Sequence, residues 1–190
     1  VFGDWSSDVC SSDLNQSKGS SSSKGGGLHG RYASLIVRNN TIVGNDAFSG
    51  GGGIYCYAAE GYPGSILLTN TIVAMNSSGI LNSPLGTVTL QHCCVYGNDG
   101  SDFSGMADPS GADGNISAYP KFASPAYGNW HIQPDSPCVD AGDGAEASGN
   151  LDIDGQPRIQ PGEGQVDIGA DESDGSTWAE GPGAIRVAPE

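Results

Sequence analysis

Apolar and polar positions alternate along three segments that align without gaps: Leu35–Asn45 (LIVRNNTIVGN), Ile66–Asn76 (ILLTNTIVAMN) and Val88–Asn98 (VTLQHCCVYGN). They are offset by 31 and 22 residues. Alternate positions place Leu35, Val37, Asn39 and Thr41 on one face, followed by Ile66, Leu68, Asn70 and Ile72, then Val88, Leu90, His92 and Cys94. Arg38, Thr69 and Gln91 fall on the other face. This period of two, rich in β-branched residues, predicts strands. Two shorter Gly-bounded runs, Gly53–Tyr57 and Gly79–Asn82, predict one more strand each.

A unit of two or three short strands recurring every 22 to 31 residues is too short for a propeller blade, which needs about four strands in roughly 40 residues. It suits a coil of parallel strands, in which each residue stacks on its equivalent about 4.8 Å away. The expected fold is therefore all-β, a parallel β-helix of about three rungs over residues 34–98. Asn45, Asn76 and Asn98 would form one column, and Asn39 and Asn70 a second that His92 continues. Asn suits such columns because its amide donates to one neighbour, accepts from the next, and tolerates left-handed turns.

The segments NNTIVGN, NTIVAMN and CCVYGN resemble rungs of right-handed parallel β-helix proteins. Gly114–Phe122, Asn129–Ile132, Ser136–Gly142, Asp152–Arg158 and Val166–Ala170 follow in order, and together resemble the C-terminal module of choice-of-anchor Q proteins. Those are secreted or surface-anchored bacterial proteins with pectate-lyase-like repeats. The resemblance covers about residues 34–172 and implies a right-handed helix with an irregular C-terminal cap over residues 99–172. It also implies an extracellular or cell-surface location. Two positions depart from that family: Tyr119 stands where it usually has Asp, and Asp171 where it usually has an aromatic. Such a cap would cover the open end of the coil, whose unpaired edge invites association.

Composition changes the picture at the N-terminus. The string Asp4–Leu14, DWSSDVCSSDL, resembles the translation of a common short-read sequencing adapter. Residues 1–14 are therefore set apart as an adapter artefact, and the chain is expected to be a fragment whose gene continues upstream. Residues 15–33 include the low-complexity run SKGSSSSKGGG and read as a flexible segment. Residues 173–190 are rich in Gly, Pro and acids and read as a linker or tail.

The chain carries 22 acids against 7 bases, a net charge of −15. Without Asp4, Asp8 and Asp13 the balance is 19 acids against 7 bases. Either balance argues against nucleic acid as a partner, because phosphates attract Lys and Arg. No apolar run approaches the roughly 20 residues of a membrane span.

Between Asp135 and Asp174 stand eleven acids and one base, Arg158. The alternating pair Asp152 and Asp154, followed by Gly155, is a turn of the kind that ligates calcium, which takes six to eight oxygens. The other reading is a clasp in which Asp140, Asp154 or Asp167 pairs with Arg158. Tyr55, Tyr57, Tyr96 and Trp130 offer sugar-stacking rings, with Tyr62 and Tyr127 in the same class; turn-closing aromatics are the alternative. His92 beside Cys93 and Cys94 has no metal-ligand spacing, because adjacent strand residues face opposite ways. Cys56, Cys93, Cys94 and Cys138 are buried thiols or include one disulfide; spacing does not choose.

No catalytic set emerges. A polyuronate lyase needs an exposed Lys or Arg as base, and after Asn39 the bases are Lys121, Arg158 and Arg186, none in a repeated strand. Glycoside hydrolysis needs two facing carboxylates, and Asp46, Glu60, Asp99 and Asp102 show no pairing. Two function classes follow. The first is a non-catalytic structural, adhesion or carbohydrate-binding part of a secreted β-helix protein, with polysaccharide or a cell-surface glycan as partner. The second is the C-terminal part of a lyase or hydrolase with its active site in upstream rungs.

Overall fold

The computed structural model describes residues 5–7, 10–13, 15–17, 23–146, 151–159, 165–179, 181 and 186–187. The chain winds as a parallel β-solenoid of about three turns, nearly all-β, with two short 3-10 turns among the described residues. Strands β1 (Trp5–Ser7), β2 (Cys10–Asp13) and β3 (Gln16–Ser17) precede the first full turn. That turn holds β4 (Leu28–Arg31), β5 (Ser34–Arg38), β6 (Asn40–Val43) and β7 (Asp46–Ala47). The second holds β8 (Ile54–Tyr57), β9 (Ser65–Thr69) and β10 (Ile72–Ala74). The third holds β11 (Ile80–Asn82), β12 (Thr87–Gln91) and β13 (Cys94–Tyr96), and β14 (Phe103–Ser104) begins the next.

Three four-stranded parallel sheets result: β1-β5-β9-β12, β2-β6-β10-β13 and β4-β8-β11-β14. Leu35 pairs with Ile66 and Ile66 with Val88, the register of the repeat alignment. Leu35, Val37, Ile54, Cys56, Ile66, Leu68, Ile80 and Leu90 fill the interior. The alternate positions of these strands face outward, as the pleat requires.

The alternation does not run on through the corner between the first and second sheets. Asn39, Asn70 and His92 sit there with φ of 54°, 48° and 49°, and Gly114 continues the column at 72°. One left-handed residue bends the chain and shifts its parity. After it, Ile42, Val73 and Val95 point into the interior core. Thr41, Ile72 and Cys94, expected on the same face as Leu35, Ile66 and Val88, instead lie on the outer side of the second sheet. There Val43, Ile72, Ala74 and Cys94 form a second core with Phe122, Ile132, Cys138 and Ile168. The first part of the C-terminal module pairs with the last turn at the coil's end, through Phe103, Asp113, Asn115 and Ile116. Its later part packs against a flank of the coil, where a sheet carries apolar residues on both faces.

Asn45, Asn76 and Asn98 form a buried amide ladder. Each Nδ2 donates to the next Oδ1, at 3.1 Å from Asn45 to Asn76 and 2.8 Å from Asn76 to Asn98. Each backbone N–H donates to the same oxygen, at 2.9 and 3.1 Å. Asn15 donates to Asn45 at one end, and Asn98 donates to the Asp102 carboxylate at 2.6 Å at the other. Nδ2 of Asn76 and of Asn98 also reach the carbonyls of Ile42 and Val73.

Three segments differ from their sequence-based expectations. Residues 23–33 are not a loose linker: β4 pairs with β8, and the N–H groups of Gly25, Gly26 and Gly27 donate to the carbonyls of Gly50, Gly51 and Gly52. A Cβ on Gly27 would meet the Gly53 carbonyl and Ile42 at 2.8 Å, so glycine here serves close packing. Residues 176–178 belong to the cap, where Trp178 is buried and exchanges two hydrogen bonds with Gln133. The backbones of β1 and β2 pair with β5 and β6, although they fall within the adapter-like string. Such pairing uses main-chain groups that any extended segment offers to an open edge. The side chains of residues 1–14, Cys10 included, lie outside the described residues.

Replacing Asn76 with Ala removes the oxygen that accepts from the Asn45 backbone and side-chain N–H groups and the amide that donates to the Ile42 carbonyl, while the backbone N–H of residue 76 still reaches Asn98 Oδ1. An unsatisfied buried polar group costs about 1–3 kcal/mol, so urea unfolding is expected to show a loss of at least about 2 kcal/mol. A loss under about 0.5 kcal/mol, the usual range of surface substitutions, would show that the ladder carries no load.

Candidate functional site

The cap is organised by carboxylates that accept backbone N–H groups. Both oxygens of Asp152 are so used: Oδ1 accepts from Asp154 and Gln156 at 2.9 and 2.7 Å, and Oδ2 accepts from Glu172 at 3.1 Å. Asp167 accepts from Asp140 at 2.8 Å and Ser173 at 2.7 Å. Asp171 Oδ2 accepts from Ile132 at 2.9 Å. The acid-rich composition of this stretch therefore serves turn closure in a module with little regular structure of its own.

Arg158 lies at the centre of the clasp, 1% exposed. Its carboxylate partner is Glu172, at 2.7 Å, and not Asp140, Asp154 or Asp167. Asp167 contributes its backbone carbonyl, as does Gly169, each accepting from Arg158 at 3.1 Å. Asp140 is exposed, with its own backbone in the left-handed region at φ 53°. Burial pushes Glu172 up and Arg158 down, and each opposes the other's shift by its charge. Burial also pushes Asp167 up to about 6, against the hydrogen bonds from Ser173 and Asp140.

Asp152 and Asp154 do not converge on one point as a calcium pair would. Asp152 is buried under three N–H donors, whereas Asp154 is exposed and meets His131 Nε2 at 3.2 Å. His131 and Asp154 form a group with Asp171, whose ligating atoms all lie within 4.8 Å of one another. Trp178 stacks on the His131 ring, with centroids 4.0 Å apart. A pocket of about 220 Å³ opens beside this group, lined by Thr41, Gly128, Trp130, His131, Ile153, Ala170 and Asp171. His131 and Asp171 lie 40 residues apart and outside the repeats, so no periodicity in the sequence joins them.

The proposed sugar-stacking rings do not form one platform. Tyr55 and Tyr57 are neighbours on the outer face of β8, 5.8 Å apart. Tyr96 lies elsewhere, 6.0 Å from Tyr119, and Trp130 stands edge-on to Phe122 in the cap. The strand pairing instead brings new members to Tyr55 and Tyr57. His29 lies opposite Tyr55 with ring centroids 4.9 Å apart, and Arg31 lies opposite Tyr57. Tyr32 joins Tyr57 at 5.3 Å and Tyr62 at 5.2 Å. The Arg31 guanidinium sits over Tyr32 and Tyr57, and Lys24 over Tyr55. Tyr55 is nearly enclosed, while Tyr62 is 52% exposed. Hydrogen bonds from Arg31 and then Tyr57 hold the Tyr32 hydroxyl below its ordinary range.

The outer face of the first sheet forms a shallow groove along Ser34, Ile36, Ser65, Leu67, Thr87 and Thr89. Its described lining carries hydroxyls and aliphatic side chains and no carboxylate. His92 donates from Nδ1 to the Ala141 carbonyl at 3.0 Å, and Asn70 exchanges two hydrogen bonds with the Asp143 backbone. Asn70 also donates to Asn39 Oδ1 at 3.0 Å, so the corner column doubles as the cap's docking rail. Cys56, Cys93, Cys94 and Cys138 are buried and free, and the Cys94 thiol, hydrogen-bonded to Cys138, is held below the ordinary range. No helix among the described residues is long and apolar enough to cross a membrane. No family model, curated protein or solved structure matches the chain.

Two measurements probe the clasp. A carboxyl whose folded pKa is raised stabilises the fold below its unfolded value and loses that contribution as pH rises through the folded value. For Asp167 this window runs from its reference value of 3.8 to about 6, so Tm is expected to rise as pH falls from 7 to 5. A fall in Tm over that range overturns the assignment. Arg158→Met leaves Glu172 buried beside no cation, at a cost of about 3–5 kcal/mol where Glu172 is ionised, above the value of about 9 to which burial raises it. That loss should shrink as pH falls from 10 to 7 and Glu172 takes up a proton; a pH-independent loss would point to packing alone.

Proposed function

We propose that this chain is a non-catalytic module of a secreted or cell-surface β-helix protein, of the choice-of-anchor Q kind, and that it binds polysaccharide. The observation that carries the reading is the aromatic and cationic face formed by His29, Arg31, Tyr32, Tyr57 and Tyr62. A sugar ring has a C–H face that packs on an aromatic ring, and its hydroxyls take hydrogen bonds from the surrounding polar tips. In a chain of net charge −15, Arg31 and Lys24 gather on this one face. That arrangement selects a polymer bearing carboxylates, because a guanidinium pairs with carboxylate by two parallel hydrogen bonds. The groove over the first sheet, walled by Ser, Thr and aliphatic residues, supports a binding role over a hydrolytic one.

Affinity electrophoresis through gels carrying polygalacturonate, alginate or neutral dextran tests this. The protein should be retarded by at least one uronate polymer, and retardation should weaken with salt because the contact is partly ionic. Tyr62→Ala should weaken binding by roughly tenfold, as expected for a central aromatic anchor. Arg31→Ala should weaken binding to uronates more than to a neutral polymer. Equal retardation of wild type and Tyr62→Ala would overturn the assignment of the face. Release of unsaturated uronate from the polymer would overturn the non-catalytic reading.

A further inference from the structure

We infer that His131, Asp154 and Asp171 form a binding site for a divalent first-row transition metal, with zinc as the representative ion. The argument starts from Asn129. The backbone N–H of His131 and its ring Nδ1 both approach one Asn129 atom, at 3.2 and 2.6 Å. A backbone N–H can only donate, so that atom is the amide oxygen, and the amide orientation is set. Nδ1 must then carry a proton to donate to it, which leaves Nε2 as the ring's lone-pair nitrogen in the neutral imidazole.

That lone pair faces carboxylates. Asp154 Oδ1 lies 3.2 Å from Nε2, and an Asp171 oxygen completes a triangle within 4.8 Å. A lone pair opposed to two carboxylates is repulsive unless a positive species stands between them. A proton on Nε2 answers one carboxylate, while a dication answers both and takes the nitrogen as a ligand. Donor atoms around a tetrahedral zinc at about 2.1 Å lie about 3.4 Å from one another, close to the Nε2···Oδ1 separation.

The donor set decides the ion. One imidazole and two carboxylates suit zinc and its first-row neighbours, whereas calcium takes six to eight oxygens. Asn129 is the outer partner that metal-bound histidines generally have. Trp178 stacked on His131 fixes the ring further, and the pocket beside Trp130 and Ile153 leaves room for a fourth ligand. The site joins the strand Asn129–Ile132 to the Asp152–Gly155 turn and to the 165–172 segment, three pieces of the cap with little sheet between them.

The test uses the full chain, free of any affinity tag, titrated with Co²⁺ and then Zn²⁺. Visible Co²⁺ absorption, with quenching of the tryptophans beside the site, is expected at one equivalent, and Zn²⁺ should displace it. Asp154→Asn, a change at an exposed position, and Asp171→Asn, which keeps an acceptor for the Ile132 N–H, should each weaken binding by at least roughly tenfold. The loss of an outer partner alone costs about 10–100-fold. Absence of binding at micromolar metal overturns the inference. So does wild-type affinity in both Asn variants, which would move the metal elsewhere, such as to the buried cysteines. The glycan assay is independent, since the aromatic face shares no residue with this site.

Discussion

The structure depends on a single left-handed residue at the corner between two sheets. Side chains alternate strictly along a strand, so a run that kept its parity through the bend would send its apolar set to one side throughout. The corner at Asn39, Asn70 and His92 breaks that rule once per turn. The strands before it feed the interior, while those after it send Ile42, Val73 and Val95 inward and Val43, Ile72 and Cys94 outward. The outward set would be an exposed apolar stripe were it not covered. The cap, the second core and the carboxylate clasp follow from that need.

Asn suits this corner on two counts. Its side chain is among the few that accept positive φ at modest cost, and its amide then points where neighbouring turns and the cap can use it. Asn70 donates to Asn39 and trades hydrogen bonds with Asp143, so one residue bends the chain, links two turns and docks the module. His92 performs the same docking through Ala141. Gly114 closes the column, where a Cβ would collide with the His92 ring.

The coil was legible in the sequence because its signal is repeated. Three gapless segments carry register, strand length and the Asn45, Asn76 and Asn98 positions at once. The corner was not legible: LIVRNNTIVGN can be read as one period-two run, and only backbone geometry shows that Asn39 switches the faces. The docking of Phe122, Ile132, Cys138 and Ile168 on the coil's flank was not legible, because it follows from the hidden parity change. Arg158 stood out as the one base of its stretch; its partner Glu172 did not, because eleven acids compete for that base. Tyr55 and Tyr57 were visible as a pair. Their companions His29, Arg31 and Tyr32 were obscured by the Gly- and Ser-rich composition next to them.

The amide ladder has a direction. From amide to amide, each Nδ2 donates to the Oδ1 of the next turn, and those of Asn76 and Asn98 give a second hydrogen bond back to a carbonyl of the turn before. The series ends on Asp102, a carboxylate with no N–H to pass on. Asp102 stands four residues after Asn98 and not one turn on, so the stacked amides end on a group of the adjoining loop that only accepts.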